Sequence, residues 1–263
     1  MKSIESLATN RTPTGEGQTA NRAWWSKLPM SYENWDEEDR TPDGAKIVDA
    51  FLTGNPYLQP EHFAMAGKRV LEIGCGAGAA TMLFHQAGAK ITSIDLTAIG
   101  VGLTKKHCPE AEVLEMDAER MTFPDATFDH VFSWGVIHHS VCTENALDGI
   151  ARVLKPGGTG LIMVYNKNSL RYRLKGVNWL FAHGKIFKGE NLESVQKYFT
   201  DGYYHRHFTP SEFGKALESR GLMVKTMRQT HMSKRMLPLL PRAVDDYCKA
   251  KWGWLLVAEI QRA

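Results

Sequence analysis

The stretch "VLEIGCGAGAATM", Val70 to Met82, decides the fold. Apolar residues of strand character run into a glycine-rich turn, and a helix-compatible segment follows. Gly74, Gly76 and Ala79 satisfy the G-x-G-x-x-G/A spacing, in which glycines permit a tight turn and a close approach of backbone to a ligand. Glu72 stands just before the loop, where a fixed carboxylate repels a pyrophosphate and suits a ligand that carries positive charge. Asp95 ends the next apolar run, 21 residues after Gly74, placed to accept the hydroxyls of a ribose. On Asp95 alone, a nicotinamide dinucleotide and an adenosyl sulfonium both fit.

On either side of the loop the pattern is regular. The runs "RVLEIG", "KITSID", "AEVLEMD", "FDHVFSWG" and "GTGLIMVY" read as buried strands, and helix-compatible segments separate the first four. Such alternation implies right-handed crossovers and a parallel sheet with helices on both faces, an α/β fold of the Rossmann-like kind. In "ENALDGIARVLKPGG" the residues Leu147, Ile150, Val153 and Leu154 share a helix face, and Pro156, Gly157 and Gly158 are expected to stop the helix. "TPSEFGKALESRG" predicts another helix, with Thr209 as N-cap, Pro210 in its first turn, Glu212 completing a capping box and Gly221 at the stop. "LMVKTMRQ" and "WGWLLVAEI" are the last strand candidates.

The chain has 263 residues and is 43% hydrophobic, enough for one elaborated domain. A formal charge of +3 is far from that of a protein that neutralises many phosphates, so no nucleic-acid partner is expected. No signal-like window or apolar run of spanning length is present, and a soluble, cytoplasmic protein is expected. Cys75, Cys108, Cys142 and Cys248 lack the paired spacing of a zinc site, so they read as reduced thiols and no metal is expected. Residues 1–22 read as a flexible tail and 23–66 as an aromatic arm or lid carrying Trp24, Trp25, Tyr32 and Trp35, with a helix near Asp43 to Thr53. The main domain is expected over 67–263, with a lid-like helical insertion at about 166–208.

"VLEIGCGAG", "SIDL", "EMDAERMTFPDATFDHVFSWGVIHH" and "RVLKPGG", in this order, closely resemble the class I S-adenosylmethionine-dependent methyltransferases of the small, UbiE-like type (methyltransferase type 11). The resemblance is strong from about Lys68 to Val164. It implies a seven-stranded, mostly parallel sheet ending in an antiparallel strand pair, which suits the last two strand candidates. It also implies S-adenosylmethionine as cofactor, with S-adenosylhomocysteine as product. Glu72, Gly74, Gly76 and Gly78 are then expected along the methionine and ribose, Asp95 on the ribose hydroxyls and Leu96 near the adenine. Asp117 and Ala118 are expected on the adenine edge, and Ser133 and Trp134 at the methionine end. The downstream motifs disfavour an NAD-dependent oxidoreductase.

Methyl transfer is an in-line displacement that needs alignment and exclusion of water, and a base only where the nucleophile must lose a proton. His138 and His139, after the fourth strand, are the catalytic candidates, His138 as a base and His139 lining the site. Tyr32, Tyr165, Asn166, His205 and Arg206 are candidate acceptor-side residues. The expected acceptor is a small molecule, anionic or amphiphilic. RNA or protein acceptors, and a non-catalytic cofactor-binding protein, are the alternatives; "SWGVIHH" stands where many base-modifying enzymes carry an Asn-Pro-Pro-Tyr-type motif. Residues 167–188 hold six basic side chains and no acidic one, with Leu170, Leu174, Val177 and Phe181 at helical spacing. This segment reads, in order of preference, as a helix packed on the domain, a lid attracting an anionic substrate, or a membrane-surface patch.

Overall fold

The computed structural model describes residues 15–27, 43–200, 202–232 and 239–263. Strands β1 (Arg69–Ile73), β2 (Lys90–Asp95), β3 (Glu112–Glu115), β4 (Phe128–Trp134) and β5 (Leu154–Asn166) form the parallel part of one sheet. The two-residue β6 (His207–Phe208) pairs with the end of β5, and β7 (Leu222–Thr230) and β8 (Leu255–Arg262) complete the sheet antiparallel, in the order β3-β2-β1-β4-β5-β8-β7. The strand order reverses between β1 and β4, so the crevice of this fold opens above the carboxyl ends of these two strands.

Alternate residues of the inner strands feed different cores. Val131, Ile162, Val164, Leu256 and Ala258 pack against α5 (Thr143–Val153) and α7 (Pro210–Glu218). Phe132, Leu161, Met163, Tyr165 and Val257 belong to the opposite core, where α3 (Ala79–Gln86) contributes Ala80 and Phe84. Both faces are therefore dry, which is why the strands read as continuous apolar runs. Helix α2 (Gly44–Gly54) is capped by Asp43, whose carboxylate accepts the Ala45 N–H, and α4 (Ala98–His107) by Thr97. The capping box of α7 forms as its sequence predicts.

Several sequence expectations change. Residues 15–22 are not a tail: α1 (Gly15–Trp25) begins inside that segment and crosses the expected tail–arm boundary. The rest of the tail, with Tyr32 and Trp35 of the arm, lies outside the described residues. Helix α5 ends at Val153, before Pro156, and Leu154 with the Lys155–Gly158 turn already belongs to β5. Trp252 closes a further helix, α8 (Arg242–Trp252), rather than opening the last strand. Helix α6 (Leu170–Phe181) forms where the insertion was expected, but it buries Tyr172, Gly176 and Leu180, while Leu174, Val177 and Phe181 face outward.

Candidate active site

The strand ends carry the acidic groups onto one cavity of about 610 Å³. Its wall includes Glu72 and Ile73 of β1, Gly74 to Gly76, Asp95 to Thr97, Met116 to Ala118 and, from the last residue of β4 onward, Trp134 to Val136. The loop after β1 turns at Gly74, whose φ of +81° suits glycine and whose Cβ, if present, would lie 2.2 Å from a Val136 methyl. Gly78 does not line the cavity; it caps α3 in the left-handed region and packs on Thr104.

Glu72 is buried, and its Oε2 accepts from Thr81 Oγ1 and, at 2.9 Å, from Ser93 Oγ. Desolvation outweighs these two donors and pushes its carboxyl up to about 7, with the nearby Asp95 adding to the rise. Asp95 is held by three donors: Thr97 N–H at 2.9 Å and Thr97 Oγ1 at 2.8 Å on Oδ1, and Gly76 N–H at 3.0 Å on Oδ2. Asp117 Oδ1 accepts from Glu119 N–H at 2.9 Å and from Gln18 Nε2 of α1 at 2.8 Å. Leu96 and Ala118 line the same end. Ser133 does not: it is fully buried, with its hydroxyl lacking a partner among the described residues, while Trp134 reaches the cavity and donates Nε1–H to Asn55 Oδ1 at 3.0 Å.

The other end of the cavity is aromatic. Trp134, His139, Tyr165 and Trp254 line it with Phe51, Met163, Met232 and Trp25. Tyr165 stacks on Trp254 at 4.4 Å between ring centroids. His139 Nδ1 lies 2.9 Å from the Tyr204 carbonyl. A carbonyl only accepts, so Nδ1 carries the proton and Nε2 is left as an acceptor with no partner among the described residues. Burial lowers the basicity of this imidazole to about 3.

Of the two histidines, His139 lines the cavity as expected, whereas His138, the expected base, does not. His138 is wholly buried behind His139, its ring 3.9 Å from that of Tyr165, and does not reach the cavity. Asn166 is likewise no acceptor-side group: its amide donates to Gly253 O at 2.8 Å and Gln229 Oε1 at 3.0 Å, and its Oδ1 accepts the Asn168 N–H. Arg206 turns to Glu144, at 2.6 Å, and His205 is absent from the cavity wall. Of the acceptor-side candidates described, Tyr165 alone lines the cavity. Gln18 and Asn21 lie in the expected tail and Trp254 in an expected strand; among the aromatic residues expected in the arm, Trp25 lines the cavity. Asn21 donates to the His139 carbonyl at 2.9 Å, and Trp25 meets the His139 ring edge-on at 4.9 Å.

A doubly wound sheet with an acidic-tipped glycine loop, two further carboxylates at successive strand ends and a closing antiparallel pair defines the class I methyltransferase architecture. Residues 71–162 match the family model described as Methyltransferase domain, and the chain is an S-adenosylmethionine-dependent methyltransferase. It is 27% identical over 208 residues to a ubiquinone biosynthesis O-methyltransferase of Nitrosococcus oceani, covering 77% of this chain and 81% of the relative. It is also 27% identical over 226 residues to the human mitochondrial ubiquinone biosynthesis O-methyltransferase, covering 76% and 55% of the two chains. The fold is shared with a chain from the complex between the Haloferax volcanii Trm112 methyltransferase activator and a methyltransferase (TM-score 0.61, 16% identity, 91% of this chain and 96% of that one). It is shared too with the Burkholderia thailandensis 1,6-didemethyltoxoflavin-N1-methyltransferase solved with its substrate and S-adenosylhomocysteine (TM-score 0.53, 15% identity, 97% and 94%).

Proposed function

We propose that this enzyme methylates a hydroxyl of a small aromatic acceptor, held between Trp25, Tyr165 and Trp254 and presented to His139. The carrying observation is a single cavity with carboxylates at one end and aromatic rings around an imidazole at the other. The residues fit the cofactor: buried Glu72 suits the positive methionine end, Asp95 the ribose diol, and Asp117 with the Ala118 N–H the adenine edge. When bound, S-adenosylmethionine supplies the methyl group and the sulfonium leaving group. Asp95 already accepts three donors, and the Thr97 hydroxyl is the one free to rotate away for the ribose.

Among the described residues the wall contains no lysine or arginine, which favours an uncharged or amphiphilic acceptor over an anionic one. Stacking on Tyr165 and Trp254 orients a flat ring, and closure by α1 keeps water out of the line of transfer. His139 Nε2 accepts the acceptor O–H. An oxygen that gains a methyl becomes strongly acidic, so even this weakly basic imidazole takes its proton as the bond forms. The names of the relatives, O-methyltransferases of ubiquinone biosynthesis, support an oxygen nucleophile. The four thiols, all free, suit the reducing cytoplasm.

The test is incubation with labelled S-adenosylmethionine and a panel of catechols, phenols, amines, RNA and protein. Methylated catechol or phenol that disappears in Asp95→Ala supports the assignment. Label in RNA, protein or amines, with none in the hydroxylated aromatics, would sink it.

A further inference from the structure

We infer that the outward face of α6 and the turn after it form a docking surface for an anionic lipid bilayer. This inference does not depend on which acceptor the cavity takes. Helix α6 is apolar on two faces. Tyr172, Gly176 and Leu180 pack inward, and Gly176 is needed there because an added Cβ would come within 2.8 Å of a Leu192 methyl. Leu174, Val177 and Phe181 form a second stripe on the opposite side, 51%, 46% and 63% exposed. Phe187, in the single 3-10 turn Lys185–Lys188, is 91% exposed, and Ile186 beside it is 41% exposed. Large apolar side chains on one short amphipathic segment are costly in water, and an interface that takes them offsets that cost.

Charge selects the partner. Arg171, Arg173, Lys175, Lys185 and Lys188 accompany the stripe, and no acidic residue occurs between positions 167 and 188. Arg173 flanks it at roughly a quarter turn, where a long stem lies along apolar surface while its head reaches phosphate. The nearest acids along the chain are engaged elsewhere, Glu190 with Lys197 and Tyr198 and Glu193 with Lys167. The adjoining helix α8 also exposes Tyr247 and Trp252, aromatic side chains suited to a headgroup layer. Among the described residues no helix is long and apolar enough to cross a membrane, so the contact is peripheral. Arg171 lies 3.8 Å over the ring of Trp254, which lines the cavity, so the surface adjoins the aromatic end of the site.

The experiment is co-sedimentation of the full chain with phosphatidylcholine vesicles and with vesicles that also contain phosphatidylglycerol. The expected result is binding to the anionic vesicles that salt reverses. Phe181→Ser with Phe187→Ser should weaken it about ten-fold or more. Arg173→Glu with Lys188→Glu should weaken it about 25-fold or more, since each lost cation accounts for about five-fold. Neither pair touches the cofactor cavity, so unchanged S-adenosylhomocysteine affinity shows that the variants fold. No association of the wild-type chain at low salt would overturn the inference. So would binding that both variants retain, or a dimer in light scattering that the phenylalanine variant abolishes while vesicles bind neither form.

Discussion

Glu72 ties the chemistry of the site to pH. Its folded carboxyl titrates near 7 instead of 4.5, so the unliganded protein holds this proton to higher pH than the unfolded chain does. The associated stability is fully present below about 4.5 and lost as pH rises through 7, amounting to roughly 3 kcal/mol. Cofactor affinity is expected to run the other way, because an ionised Glu72 would attract the positive methionine end. Calorimetric titration with S-adenosylmethionine should show affinity rising from pH 6 to 8 in the wild type and flat in Glu72→Gln. Asp95→Ala should cost 1 to 3 kcal/mol of cofactor binding, measured in the same way. His139 stays neutral across any practical assay range, so an acid limb near pH 6.5 in single-turnover rates at saturating cofactor would remove it as the proton acceptor. His139→Ala should lower kcat at least ten-fold with cofactor affinity nearly intact. His138→Ala should instead show as a lower Tm, since that ring is packing behind the wall.

At the scale of elements, capping and stapling carry the testable energetics. Thr209→Ala removes one half of the α7 capping box and should cost about 1 kcal/mol in denaturant unfolding. Asn166 joins β5 to β7 and to the turn before β8 through its buried amide, and Asn166→Ala should cost more, about 2 to 3 kcal/mol, by leaving those carbonyls unpaired. The α7 box was legible because it depends on three residues in a row of four. Helix α1 was not: "GEGQTANRAWW" opens with two glycines in its first turn, and its order comes from tertiary contacts of Gln18, Asn21 and Trp25 that no local pattern announces. In α6 the period was correct and the face was wrong. Spacing locates a stripe, but a helix with two apolar stripes gives no sign of which one meets the domain.

Over the whole molecule, the sheet and its carboxyl edge were legible because the strands are buried on both faces and the cavity-facing acids follow them directly. The acceptor end was less so, since its wall is assembled from α1, α2, β5 and the segments before β8, which lie far apart in the chain. That assembly has a kinetic corollary. One helix, α1, is pinned to Asp117 at the acidic end of the cavity and to His139 at the aromatic end. While it is seated, neither end opens independently, so it must swing aside for the nucleoside and return before an acceptor finds its walls. The expected turnover is therefore ordered, nucleoside first in and last out. S-adenosylhomocysteine should inhibit competitively against S-adenosylmethionine and noncompetitively against the acceptor. Gln18→Ala, which loosens one pin, should speed release of the spent nucleoside in stopped-flow measurements.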